Sequence, residues 1–172
     1  MLQAALILLF PFLMMFAAST DLLSMTISNK VSLALMAGFC VCAYALGMPL
    51  LAFAWHWLLF VLVLAIGFSL FAFGVMGGGD AKLAAATALW LGWEHTFTYV
   101  LIASLIGGAL TLLLLSVRSV PLPSRMENVG WIVKLYRADT GIPYGIALAA
   151  AAMIVYPDTV WMQHVFAMAH LR

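Results

Sequence analysis

Residues 55–75 read WHWLLFVLVLAIGFSLFAFGV, without one Asp, Glu, Lys or Arg, and the chain runs from there into Met76-Gly77-Gly78-Gly79-Asp80-Ala81-Lys82-Leu83. At about 1.5 Å of helical rise per residue, a stretch of that length covers the roughly 30 Å hydrocarbon core of a bilayer. The apolar stretch that follows, 81–93, is too short to cross alone. Non-helical backbone at membrane depth persists only where protein buries it or water reaches it. The glycine run is therefore expected to dip into a helical bundle, with 81–93 completing that crossing.

The same reading extends outward to six apolar segments, at roughly 2–19, 31–48, 55–75, 81–93, 96–117 and 141–157. Composition agrees: 67% of the 172 residues are apolar and 8% charged, for a formal net charge of +1. Such a chain is too apolar to be disordered. It has no basic surface with which to hold nucleic acid, and too few polar residues to coat a water-soluble globule. The expected fold is all-α, a polytopic transmembrane bundle of about six membrane helices in a single domain spanning 1–172. Small residues four apart, Ala34/Gly38, Ala84/Ala88, Ser104/Gly108 and Gly141/Gly145, mark faces where such helices approach closely. No internal repeat is visible. The first segment ends in Ala17-Ala18-Ser19 but has no basic residue before its apolar core, which argues against a cleaved signal peptide.

Basic residues set the orientation. The connections 20–30, 76–82 and 118–140 hold Lys30, Lys82, Arg118, Arg125, Lys134 and Arg137, six of the seven basic residues, so that side is expected to be cytoplasmic. The N-terminus and the tail 158–172 then face outward, as do the singly scattered His56, His95, His164 and His170, whose spacing suggests no metal site. In the cytoplasmic connection 118–140, Trp131, Lys134, Leu135 and Arg137 follow Pro121 and Pro123 and read as a short amphipathic element on the membrane surface. In the tail, Trp161, Val165 and Met168 share a helical face, the pattern of an interfacial helix. Cys40 and Cys42 read as packing residues.

Asp21 follows the first span and Asp80 the third, so two crossings separate them and both fall on the cytoplasmic side. Both sit tight against apolar helices, where an ionisable group is expensive and marks a candidate site. Two carboxylates that meet share one proton and titrate as a unit, the arrangement with which aspartic proteases activate water. Gly77, Gly78 and Gly79, lacking Cβ atoms, would let a substrate strand come close. From the residues alone a second reading stays open: the two Asp as helix caps or as partners of Lys30 and Lys82, and the glycines as a flexible break.

Gly77-Gly78-Gly79-Asp80-Ala81-Lys82-Leu83 resembles the G-x-G-D-x-K-L signature of type IV prepilin peptidases, membrane aspartic proteases of the GxGD type. Asp21 with Ile27, Asn29 and Lys30 resembles that family's earlier motif, an Asp, a basic stretch and Ile-Pro-Asn. Thr140-Gly141-Ile142-Pro143-Tyr144-Gly145-Ile146-Ala147 resembles the late segment of its short Tad/Flp-pilus (CpaA/TadV-like) members. Ser28 stands where Pro is usual, and Leu23, Ser24, Met25 and Thr26 replace the basic stretch. The paired CxxC motifs that accompany methylation in larger members are missing, so methyltransferase activity is not expected.

The resemblance implies a leader peptidase of the bacterial inner membrane that needs no metal or cofactor. Its partners would be a prepilin or pseudopilin precursor and the bilayer, with no nucleic acid. Asp21 and Asp80 would be catalytic, Gly77, Gly78 and Gly79 would shape the site, and Lys82, Asn29 and Lys30 would bind substrate or tune the acids. Alternatives are a preflagellin or type II secretion pseudopilin substrate, a small proton or ion transporter using the two Asp as a relay, and a non-catalytic membrane subunit. The transporter reading would call for carboxylates at mid-membrane and for repeated halves.

Overall fold

The computed structural model describes residues 2–123, 126–137 and 139–163. The order is α1 (Leu2–Ser24), α2 (Asn29–Ala45), α3 (Leu50–Ala72), α4 (Gly78–Arg118), α5 (Gly130–Tyr136) and α6 (Tyr144–Val155), closed by a 3-10 turn at Tyr156–Asp158. The described residues contain no strand, and the fold is all-α. α3 and α4 are long and apolar enough to cross a membrane. Their surfaces stay apolar: Leu58, Val61 and Ile66 of α3 and Leu101, Leu105 and Leu112 of α4 are all exposed, the pattern of a surface that faces something other than water.

α4 is the central element and packs against α2, α3 and α6, while α1 packs against α2 and α6. Alanines make this possible: Ala81, Ala85, Ala86 and Ala88 of α4 are fully buried, and Phe10, Met14, Leu35, Phe39, Leu83 and Trp90 fill the core around them. Of the small-residue pairs, Gly38 seats Leu9 and Trp90, and Ala84 and Ala88 are buried. Gly108 and Gly141 face open space; the close approach between α4 and α6 is made instead by Gly107, against the Tyr144 ring.

The expected segments 81–93 and 96–117 form one element broken at Gly92, whose φ of 70° and ψ of −178° suit only glycine. The break opens the hydrogen-bond ladder across it, and side chains, two of them from other elements, supply the missing donors. His56 Nδ1 reaches Leu89 O at 2.7 Å, Trp161 Nε1 reaches Trp90 O at 2.7 Å, and Thr96 Oγ1 reaches Gly92 O at 2.6 Å. A carbonyl has no proton to give, so the His56 ring carries its hydrogen on Nδ1. His56→Phe would strand the Leu89 carbonyl and is expected to lower stability by about 1–3 kcal/mol, read as a lower melting temperature in detergent.

Trp161 corrects one expectation. It is 2% exposed, inside the core against Phe39 and Trp90, and not on a lipid-facing surface. Val165, Met168, His164 and His170 lie outside the described residues, as does Arg125. In the 118–140 connection the expected amphipathic element is α5, with its side chains at the surface. Beside it Arg137 donates to Asp139 at 2.9 and 2.6 Å and holds that carboxyl below its usual range. Cys42 is buried in the core and Cys40 is half-buried against it.

Candidate active site

α1 continues beyond the expected end of its segment, so Asp21 stands in its final turns and not in a loop. A carboxylate there opposes the dipole of its own helix. It is placed instead at the start of another: Asp21 Oδ2 accepts the backbone N–H of Gly145, the second residue of α6, at 2.7 Å. Asp21 is 5% exposed. At α4 the Asp80 carboxylate reaches back to the backbone N–H of Gly77, the N-cap, as the acid of a capping box does. Each carboxylate therefore sits at the positive end of a helix that orients it. Asp80 thus keeps something of the cap reading, whereas Asp21 caps no helix of its own.

The loops complete the arrangement. The chain leaves α1 through Met25, which has a left-handed φ of 57°, the usual way to stop a helix. It enters α2 through Ser28, whose Oγ caps the N–H of Lys30 at 3.3 Å, so serine serves here where proline is usual in the resembled motif. Between these turns Ile27 lies under two glycines. A Cβ on Gly79 would stand 3.2 Å from Ile27 Cβ, and one on Gly145 would stand 3.0 Å from Ile27 Cδ1 and 2.8 Å from Asp21 Oδ2. A Cβ on Gly77 would stand 2.8 Å from Asp80 Oδ2. Gly78 faces the Phe71 ring.

Asp21 and Asp80 line one cavity of about 620 Å³, together with Met25, residues 74–77, Arg118, residues 140–142 and Tyr144, and they are close enough for their charges to interact. Neither forms an ion pair with a lysine among the described residues. The structure thus brings together Asp21, Asp80 and Gly77. It places Gly78 and Gly79 in the first turn of α4 behind them. Lys82 and Asn29 lie elsewhere: Lys82 Nζ donates to Asn29 Oδ1 at 3.0 Å in a separate cleft, and Lys30 lines neither cavity.

Two residues carry more of the site than their sequence positions suggest. Spacing reads Gly145 as a packing partner of Gly141, yet it supplies the donor to Asp21. Arg118, read as a topology marker, lines the cavity and donates to Leu135 O at 2.8 Å, Gly141 O at 3.0 Å and Thr140 O at 3.3 Å. It thereby pins the backbone that leads into α6 and Gly145.

No curated protein and no solved structure matches the chain. The pattern of the type IV leader peptidase family matches residues 8–112, a span that contains both Asp21 and Asp80. Together with the two long apolar helices, this match points to a membrane protein. The chain belongs to the type IV leader peptidase family.

Proposed function

We propose that the protein is a membrane-embedded aspartic endopeptidase that removes the basic leader from type IV prepilin-like precursors of the Flp/Tad class. Asp21 and Asp80 are its catalytic pair. The observation that carries this reading is their meeting in one cavity from helices far apart in the chain. The ionised carboxylate takes a proton from water, and the water oxygen attacks the scissile carbonyl. The protonated carboxylate donates its hydrogen to the carbonyl oxygen. Collapse of the tetrahedral intermediate, with a proton passed to the leaving nitrogen, releases leader and mature precursor. The Gly145 and Gly77 N–H groups hold the two acids in place throughout. The test is co-expression with a candidate prepilin: loss of the leader, seen as a gel shift, supports the assignment, and an unshifted precursor alongside well-expressed protein overturns it.

The glycine run serves close packing in this reading. Gly79→Val is expected to reduce cleavage severely while the protein stays in the membrane, because its branched side chain meets Ile27. Full activity in membranes of matched protein content would make the run a mere spacer.

We further assign the catalytic end to the cytoplasmic face of a bacterial inner membrane, with about six membrane helices and the N-terminus outside. The support is the six-to-one division of basic residues. In a background lacking Cys40 and Cys42, an impermeant maleimide on intact cells is expected to label Gln163→Cys and spare Glu127→Cys. The reverse pattern would invert the topology.

A further inference from the structure

We infer that the cleft between α2 and α3 binds one anionic phospholipid, with its phosphate held by Lys82 and Ser32 and its acyl chain lying along Met36, Phe60, Leu64 and Phe68. The two helices both pack on α4, and between them lies a cavity of about 400 Å³ that shares no lining residue with the Asp21–Asp80 cavity. Its walls are apolar except at one end, where Asn29 and Ser32 open α2 and Lys82 follows the first turn of α4.

That end is rich in donors and short of acceptors. Lys82 Nζ spends one hydrogen on the neutral Asn29 Oδ1 and has no carboxylate partner among the described residues; an ammonium has three hydrogens to donate. With Asn29 Oδ1 occupied, the Asn29 amide nitrogen has its own hydrogens to give. The starts of α2 and α4 add the positive ends of two helix dipoles.

Ser32 is the independent sign of a ligand. It is 6% exposed, it lines the cleft, and its hydroxyl has no hydrogen-bond partner among the described residues. Serines inside helices ordinarily turn back on the carbonyl four residues earlier. Ser19, Ser24, Ser69, Ser104 and Ser116 all do so in this protein, and Ser32 does not. A phosphate has acceptor oxygens for the hydroxyl, the ammonium and the amide at once. The apolar remainder of the cleft suits an acyl chain. A basic leader peptide, by contrast, would meet Lys82 as a like charge.

The test is native mass spectrometry of the purified full-length protein in detergent, with dioleoyl phosphatidylglycerol, dioleoyl phosphatidylcholine or glycerol 3-phosphate added. One phosphatidylglycerol is expected to be retained about fivefold over phosphatidylcholine, the preference one lysine confers. Lys82→Gln is expected to erase that preference, and Ser32→Leu, which fills the polar end, to lower retention of both lipids. Lys134→Gln, a surface change elsewhere on the basic side, should leave both unchanged. Leu64→Trp blocks the acyl end without touching a polar group and should also lower retention. Equal retention of the two lipids, a preference that survives Lys82→Gln, or displacement by equimolar glycerol 3-phosphate would each overturn the assignment. So would stoichiometric displacement by a prepilin hydrophobic segment, which would make the cleft a substrate groove.

Discussion

Asp21→Asn and Asp80→Asn are each expected to abolish leader cleavage, by about four orders of magnitude or more, and the double variant is expected to be no worse than either single one. The reason is chemical. Asn keeps the size of the side chain, and its amide oxygen can still accept the Gly145 or Gly77 N–H, so the helix ends stay tied together. It cannot take a proton from water, and it cannot share one with the other acid. Once one carboxylate is gone, the remaining one has no partner with which to divide the work, and its loss adds nothing further. If Asp21 were only a fastening between α1 and α6, Asn would fasten nearly as well and cleavage would survive. Matched protein levels in isolated membranes, with substrate conversion followed over time, separate the two outcomes.

The second large effect is expected at a residue with no ionisable group. Gly145→Ala adds one carbon, which would stand 2.8 Å from Asp21 Oδ2, 3.0 Å from Asp21 Cβ and 3.0 Å from Ile27 Cδ1. The 2.8 Å contact cannot stand and the two at 3.0 Å are tight, so either the Asp21 side chain turns away from the Gly145 N–H or α6 moves off α1. Both displace the carboxylate from its partner, and a misplacement of about 1 Å in a catalytic constellation costs on the order of a hundredfold in rate. Insertion and helix content should persist, because the change adds no charge and removes no apolar surface. Cleavage by Gly145→Ala within a factor of a few of the parent would mean that the Gly145 N–H does not position Asp21. Gly141→Ala provides the contrast: no atom of the described residues lies within 4 Å of the added carbon, and activity should hold.

The helices and the acid pair were legible because membrane length and uncharged runs have few readings. The stretch 55–75 is α3 to within about five residues, and two helices, α2 and α3, lie between Asp21 and Asp80 and bring them to the same end, where the cavity joins them. Three features were hidden because they depend on tertiary partners. Nothing local in Tyr144-Gly145 says that its N–H meets a carboxylate on the first helix. Arg118 looks like any basic residue at a membrane boundary until the 135–141 backbone folds against it. The break at Gly92 leaves no signature beyond one glycine among many, since its stabilising donors come from His56 and Trp161, far away in sequence. That last dependence also explains Trp161: its apolar spacing suits a lipid-facing surface, but its indole N–H has a buried carbonyl to satisfy, and it goes inside.

In the proposed mechanism Asp21 and Asp80 act as one acid–base unit that must hold a single proton between them. The dependence of kcat/KM on pH, measured with purified protein in liposomes on a prepilin substrate, tests it most directly. A bell is expected: activity falls on the acid side as the base is protonated and on the alkaline side as the acid is lost. A profile that rises to a plateau and stays there, with both carboxylates ionised, would contradict it.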